Sequence, residues 1–125
     1  LLSQNENFAF ETTLSTRSYK NKILEAKNKN YNVTLLFFWL KNPELAKERV
    51  KTRVLEGGHN IPEDVIERRY YKGIKNLFEI YLSIVDQALI FDNSEGKHNL
   101  IAEMSISEEL NVLNETKFNE LKNYL

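Results

Sequence analysis

The sequence predicts an α/β protein in which a parallel sheet is flanked by helices. Two apolar segments, Val33–Leu40 and Ala88–Phe91, run with little polar interruption, which is typical of strands buried on both faces of a parallel sheet. A segment with helical spacing of apolar residues precedes the first of them. Strand, helix and buried strand in succession form a βαβ unit, whose crossover is right-handed. Of the 125 residues 42% are hydrophobic, which is enough for one core, and we expect a single domain over 1–125.

The first elements follow from local patterns. Asn7–Thr13 alternates apolar and small residues before three polar ones, which predicts a short strand. Leu14–Asn30 has apolar residues on one face and lysines on the other, which predicts a helix with Ser15 as its N-cap. Val33–Leu40 is then the fully buried strand.

The second half alternates helices and short strands. Pro43 begins a helix that Gly57-Gly58 ends, and Pro62 opens another that carries one long apolar stripe. Ala88–Phe91 and Leu100–Met104 are expected to be strands. The last segment, 107–125, is expected to be one amphipathic helix whose inward residues are Leu110, Leu113, Phe118 and Leu121.

Composition excludes several classes of function. The net charge is −1, so no overall field attracts nucleic acid or anionic lipid, and we expect neither partner. Cysteine is absent, which removes disulfides and thiolate metal sites. The longest apolar run has eight residues and no signal peptide is visible, so we expect a cytoplasmic protein. Because the chain starts at Leu1 and its one methionine is Met104, we expect a fragment of a longer protein.

Basic residues concentrate between Lys41 and Lys75, where nine stand against six acidic residues. Arg49 and Arg53 are four residues apart and therefore share a helix face, while Arg68 and Arg69 lie on the next helix. Two helices joined by a glycine-containing connection can bring arginines to one point, and guanidinium groups bind phosphate oxygens bidentately. The alternative is a solvated pair of helix faces with Glu–Arg pairs.

Polar residues at the end of the first strand are the second candidate. Glu11, Thr12 and Thr13 lie at a carboxyl edge, where open α/β sheets bind ligands, and they could hydrogen-bond a polyhydroxy substrate. The alternative is that they only cap the following helix. His59 follows two glycines in a loop, where catalytic or ligand histidines occur, but a lone histidine in a loop is more often a turn residue. No set of residues has metal-ligand spacing, and no Gly-rich phosphate loop is present.

Several blocks, in order and spacing, resemble the zeta-toxin-like family of P-loop kinases. They are Phe8-Ala-Phe-Glu-Thr-Thr-Leu-Ser15 with Arg17, Arg49-Val-Lys-Thr-Arg-Val-Leu-Glu-Gly-Gly-His-Asn-Ile-Pro62, Ile66-Glu-Arg-Arg-Tyr70, and Asn76-Leu77. The resemblance implies a P-loop kinase-like sheet, ATP and Mg²⁺ as cofactors, and a mobile lid over about 49–70 that includes Gly57, Gly58 and His59. It implies that Arg53 and Arg69, with Arg49 and Arg68 as alternatives, contact ATP phosphates during transfer.

The same resemblance implies roles at the strand ends. Glu11, Thr12, Thr13, Ser15 and Arg17 would lie on the side of the phosphate acceptor, and the loop at Asp92 and Asn93 would cradle adenine. Zeta toxins phosphorylate UDP-N-acetylglucosamine and are held inactive by an antitoxin, so a UDP-amino sugar and an antitoxin are the implied partners.

One departure from the family is large, because the Walker A loop and the first strand are missing from this sequence. We therefore expect that the chain alone does not transfer phosphoryl groups and does not bind ATP tightly. The missing strand would leave unpaired edges between the two clearest strands, which allows homodimers through an open sheet edge. The alternative function is a non-catalytic protein-binding or dimerisation module derived from this fold.

Overall fold

The computed structural model describes residues 7–11 (main chain), 14, 18–106 and 108–125. Its elements are β1 Asn7–Glu11, α1 Tyr19–Asn28, β2 Asn32–Trp39, α2 Pro43–Leu55, α3 Glu63–Asn76 continued by a π-helical turn Leu77–Tyr81, β3 Gln87–Asp92, β4 Asn99–Met104, β5 Asn111–Val112 and α4 Glu115–Lys122. No helix in these ranges is long and apolar enough to cross a membrane.

The strands form one five-stranded sheet in the order β1-β2-β3-β4-β5. The first three strands are parallel, as expected, and β4 and β5 are antiparallel to their neighbours. The reversal at β4 has a simple cause, since the loop from β3 to β4 spans only 93–98 and cannot make the crossover that a parallel strand needs. The α/β class is therefore confirmed, with a mixed rather than wholly parallel sheet.

The expectation of unpaired edges between β2 and β3 is wrong. β2 and β3 pair directly in parallel from Thr34 opposite Gln87 to Trp39 opposite Asp92. Because each of these strands satisfies the other's backbone groups, neither presents an open edge at this place. Within the described strands, the free edge of the parallel side belongs to β1, which has β2 as its one neighbour.

One hydrophobic core lies on one face of the sheet. Val33, Leu35, Phe37 and Trp39 of β2 are buried, while the residues between them are half-buried. The expectation that β2 is fully buried on both faces is therefore wrong, because α1, α3 and α4 all contribute their buried residues to this same cluster. Those helical residues are Ile23, Ile74, Leu77, Tyr81, Phe118 and Leu121.

The predicted starts of the first and the last helix are also wrong. Leu14 has φ +55°, a left-handed conformation that a right-handed helix cannot include, so α1 begins only at Tyr19. The predicted N-cap Ser15 lies outside the described residues.

The C-terminal segment is not one helix over 107–125. The amides of Leu113 and Asn114 both donate to the carbonyl of Ile101, which holds this stretch against β4. The Asn114 side chain then caps α4 by accepting from the Lys117 amide. As a result Leu113 is exposed, contrary to expectation, while Phe118 and Leu121 are buried. Ser107 lies outside the described residues.

Candidate functional site

An open cleft of about 370 Å³ lies at the carboxyl end of β2, bounded by α2 and α3. Its wall is mostly apolar and includes Phe37, Leu40, Val50 and Ile66. Four polar residues complete the lining, and all four were candidates from the sequence: Arg49, Arg53, Arg69 and Asn93. Apolar walls with a few convergent polar groups are typical of small-molecule sites.

Helix geometry explains which arginines meet. Arg49 and Arg53 are one turn apart on α2 and share the face that borders the cleft. Arg69 reaches the cleft from α3, whereas Arg68 is not part of the lining, although both residues are exposed. Adjacent helical residues point about 100° apart, and here Arg69 and Tyr70 lie on the side of α3 that borders the cleft while Arg68 lies outside it.

Two acidic residues of α3 are bound to lysines of α2. Lys47 donates to Glu67 at 3.1 Å and Lys51 lies 3.5 Å from Glu63, and both pairs join α2 to α3. The hydrogen bond that Lys47 donates to Glu67 raises the pKa of Lys47 above its ordinary value. Within the described part of the chain, no carboxylate forms an ion pair with any of the four candidate arginines, which are Arg49, Arg53, Arg68 and Arg69. The predicted solvated helix faces are therefore present with Glu–Lys rather than Glu–Arg pairs, and the arginines have no acidic partner among the described residues.

Arg49 already has a backbone partner. Its Nη2 donates to the carbonyl of Asn93 at 2.7 Å, and the Asn93 amide donates to the carbonyl of Trp39 at 2.8 Å. These bonds join α2 to the loop after β3 and that loop to β2. Arg49 is therefore partly committed to holding the cleft together, while Arg53 and Arg69 keep more of their donors for a ligand.

A Trp–Tyr pair that the sequence did not single out forms part of the cleft wall. Trp39 Nε1 donates to the Tyr70 hydroxyl at 3.0 Å, and this hydroxyl donates to the carbonyl of Leu40 at 2.6 Å. Burial raises the pKa of the Tyr70 phenol, so the group stays protonated at neutral pH and keeps its donor. The one available signal was the position of Tyr70 directly after Arg69.

Asp92 lies beside the cleft and is not part of its lining. It is buried, and its carboxylate accepts from Lys117 of α4 and from the amide and hydroxyl of Ser94. Burial by itself would raise the pKa of Asp92, but these hydrogen bonds outweigh burial and hold it below its ordinary value. The carboxylate is therefore occupied within the chain, and the predicted contact of Asp92 with adenine stays a prediction.

The two glycines of the predicted lid end α2. Gly57 has φ +95°, its amide donates to the carbonyl of Val54, and the Gly58 amide donates to the carbonyl of Arg53. This pair of bonds is the Schellman C-cap. His59 is exposed in the connection that follows, and Ile61 of the same connection lines the cleft. The connection therefore reaches the site, while the lid motion stays a prediction.

The residues predicted to face the phosphate acceptor are mostly outside the described ranges. Thr12, Thr13, Ser15 and Arg17 lie there, and for Glu11 the main chain alone is described. Glu11 pairs with Leu36, which directly precedes Phe37 of the cleft wall, so the last residue of β1 lies about 3.3 Å along the strands from the level at which the lining of β2 begins. Elsewhere in the described residues, no three His, Asp or Glu side chains group to hold a metal ion.

The sequence model of the zeta toxin family matches residues 1–105. An uncharacterized protein of Haemophilus influenzae is 35% identical over 69 residues, which are 55% of this chain and 49% of that protein. A structure from the PezAT chromosomal toxin–antitoxin system of Streptococcus pneumoniae aligns with 90% of this chain and 53% of that chain, at 18% identity and a TM-score of 0.46. The chain spans about half the length of the proteins it matches.

Proposed function

Because this chain belongs to the zeta toxin family, we propose that its cleft holds the phosphates of ATP in a kinase that phosphorylates a small molecule. One observation carries the proposal. Arg53 and Arg69 reach one cleft from two helices, and no described carboxylate neutralises them. Uncompensated guanidinium groups beside an apolar wall favour a ligand that combines a planar ring with phosphate groups.

The two arginines have a definite role in this proposal. They remain charged at any working pH and donate N–H groups to phosphate oxygens. Where the oxygens gain negative charge during transfer, these donors stabilise that charge without having to reorient. ATP, when bound, supplies the γ-phosphoryl group. The apolar residues around the arginines, with Ile61 from the connection, reduce the access of water to one side of the bound phosphates.

We propose further that these 125 residues do not turn over ATP by themselves. The sequence has no Gly-x-x-x-x-Gly-Lys-Ser/Thr loop, whose backbone amides and lysine hold the β- and γ-phosphates in P-loop kinases. No Mg²⁺ ligand is assigned to the described residues either. The phosphate acceptor is proposed to be a UDP-amino sugar and the regulator an antitoxin, both carried over from the family.

Binding of a phosphate compound to the chain tests the arginine assignment. Trp39 is the one tryptophan, so its indole N–H gives a single resonance from the cleft wall. Pyrophosphate added to the ¹⁵N-labelled chain at low salt should shift this resonance with millimolar affinity. Arg53→Ala and Arg69→Ala should each weaken the affinity about tenfold, because a charged hydrogen bond contributes about 1.5–3 kcal/mol.

The control is Arg68→Ala, which removes the same charge from the residue next to Arg69 but outside the cleft. Its affinity for pyrophosphate should stay within about twofold of the unmodified chain. Equal losses in Arg68→Ala and Arg69→Ala would mean that general charge attraction explains the binding. An indole resonance that pyrophosphate does not move would remove the site altogether.

An alternative proposal is a dimerisation module, which the edge strand β1 favours. Among the described strands β1 pairs only with β2, so one row of its backbone groups is available to a second chain. Light scattering at concentrations from about 10 µM to 1 mM separates the alternatives. A monomer across this range would contradict edge pairing and leave the kinase proposal untouched.

A further inference from the structure

Helix α4 contacts both loops at the carboxyl end of the parallel strands. Lys117 Nζ donates to Asp92 Oδ2 at 2.5 Å, at the start of the loop after β3. The hydroxyl of Tyr124, just beyond α4, donates to the carbonyl of Lys41 at 2.9 Å, in the loop after β2. The helix is anchored beneath these bonds, because Phe118 and Leu121 are buried in the core.

The Lys117–Asp92 pair leads directly to the cleft. Asp92 Oδ1 accepts from the Ser94 amide at 3.0 Å and from its hydroxyl, and the Ser94 Oγ accepts from the Lys41 amide at 2.9 Å. Asn93 lies between Asp92 and Ser94, and its carbonyl is the acceptor of Arg49. Hydrogen bonds at Asp92 and Asn93, joined by the backbone of the loop, therefore connect α4 to an arginine on the wall of the cleft.

We infer that Lys117 is a positioning residue of the cleft, which holds the Asn93 loop in place through Asp92 and so sets where Arg49 lies. The ligand part of this inference rests on the proposed function; the positioning part does not. Helix α4 lies beyond residues 1–105, the segment that the family model matches, so this role is drawn only from the contacts in this chain.

The burial of Asp92 makes its bond with the half-buried Lys117 strong. The Asp92 side chain is 4% exposed and that of Lys117 is 30% exposed, so water competes poorly for the carboxylate. Lys117 faces the carboxylates of Glu95 and Glu120 as well, and the hydrogen bond with Asp92 is the largest influence among the three on its pKa, which is raised. Loss of the ammonium would leave Asp92 charged, buried and held by Ser94 alone.

Amide exchange tests the positioning without any ligand. Lys117→Met should speed hydrogen exchange of the Ser94 amide at least tenfold while amides in the middle of β2 keep their protection. Lys117→Arg, which retains a charged donor, should restore most of the protection at Ser94. The control is Lys122→Met, on the same helix, whose ammonium lies over the ring of Phe118 and contacts neither loop.

A double variant separates positioning from simple charge attraction. Asp92→Asn with Lys117→Met keeps the net charge of the chain and leaves no buried charge unpaired, so it should fold. Positioning predicts fast exchange at Ser94 and an affinity for pyrophosphate several-fold weaker than that of the unmodified chain. Charge attraction alone predicts that the double variant binds pyrophosphate as the unmodified chain does.

The outcomes remain distinguishable. Exchange at Ser94 that is unchanged in both the single and the double variant would overturn the inference, whatever the chain binds. A second outcome is that exchange at Ser94 accelerates in both the single and the double variant while pyrophosphate never shifts the Trp39 indole resonance. This result would uphold the role of Lys117 in the loop and refute the phosphate site. Unmodified affinity in the double variant would overturn the link between the loop and the ligand.

Discussion

Replacing Asn76 with leucine should lower the free energy of unfolding, because it removes one buried hydrogen bond. Asn76 is 8% exposed near the end of α3, and its Nδ2 donates to the carbonyl of Leu14 at 2.7 Å. Leu14 is fully buried and has φ +55°. This bond therefore connects α3 to the chain between β1 and α1, close to the residues predicted to face the phosphate acceptor.

The expected loss can be worked out from the kind of contact. Leucine has nearly the shape of asparagine, so Asn76→Leu removes the donor and creates little cavity. Taking a donor from a buried carbonyl costs about 1–3 kcal/mol, and we expect about 2 kcal/mol of unfolding free energy to be lost. With a urea m-value of about 1.5 kcal/mol/M for a chain of this size, the midpoint should fall by about 1.3 M. The melting temperature should fall by about 8 °C.

Urea unfolding followed by Trp39 fluorescence measures this change, because Trp39 is buried in the folded chain. The control is Asn21→Leu, an exposed position on α1, which should move the midpoint by less than about 0.3 M. A loss in Asn76→Leu no larger than that of the control would refute the reasoning, since the buried bond would then contribute nothing to stability.

Three further outcomes are expected. Gly58→Ala places a Cβ 2.8 Å from the carbonyl oxygen of Arg53, so the end of α2 must shift and the melting temperature should fall by several degrees, as calorimetry will measure. Tyr70→Phe removes a hydroxyl that both donates and accepts, which should cost about 1–3 kcal/mol in urea unfolding and change the emission of Trp39. Because the pKa of Asp92 is lowered on folding, its contribution to stability is complete above about pH 4 and is lost as the pH falls further. The difference in unfolding free energy between the unmodified chain and Asp92→Asn should therefore shrink from pH 7 to pH 3, and a constant difference would contradict the lowered pKa.

Much of the architecture could be predicted from short-range patterns. The apolar run of β2, the break at Gly57-Gly58 and the spacing of Arg49 and Arg53 are local signals, and the structure confirms the elements that they predict. Local signals fail where a distant partner decides. Leu113 has the right spacing for a buried helical face, yet the carbonyl of Ile101 holds this stretch of chain against β4.

The candidate site also combines features that the sequence predicted with features that only the structure shows. Arginines on two helices beside a glycine connection predicted a phosphate site, and three of the four residues line one cleft. Whether Arg69 or Arg68 faces the cleft depends on how α3 is rotated against the sheet. The apolar stripe of α3 does not fix this rotation closely enough to distinguish two adjacent residues. Lys117 gave no signal at all, because it is 25 residues from Asp92 and looks like any lysine on a helix surface.

By itself, the sequence determined the α/β class, the blocks that place the chain in its family and the two helices that carry the arginines. These properties depend on backbone preferences and on residues close together in the chain. Tertiary structure alone decided that β2 pairs with β3, that lysines of α2 rather than arginines bind Glu63 and Glu67 of α3, and that α4 braces the loops after β2 and β3. Each of these contacts depends on which groups become buried together when distant segments pack, and no local sequence pattern indicates which groups those are.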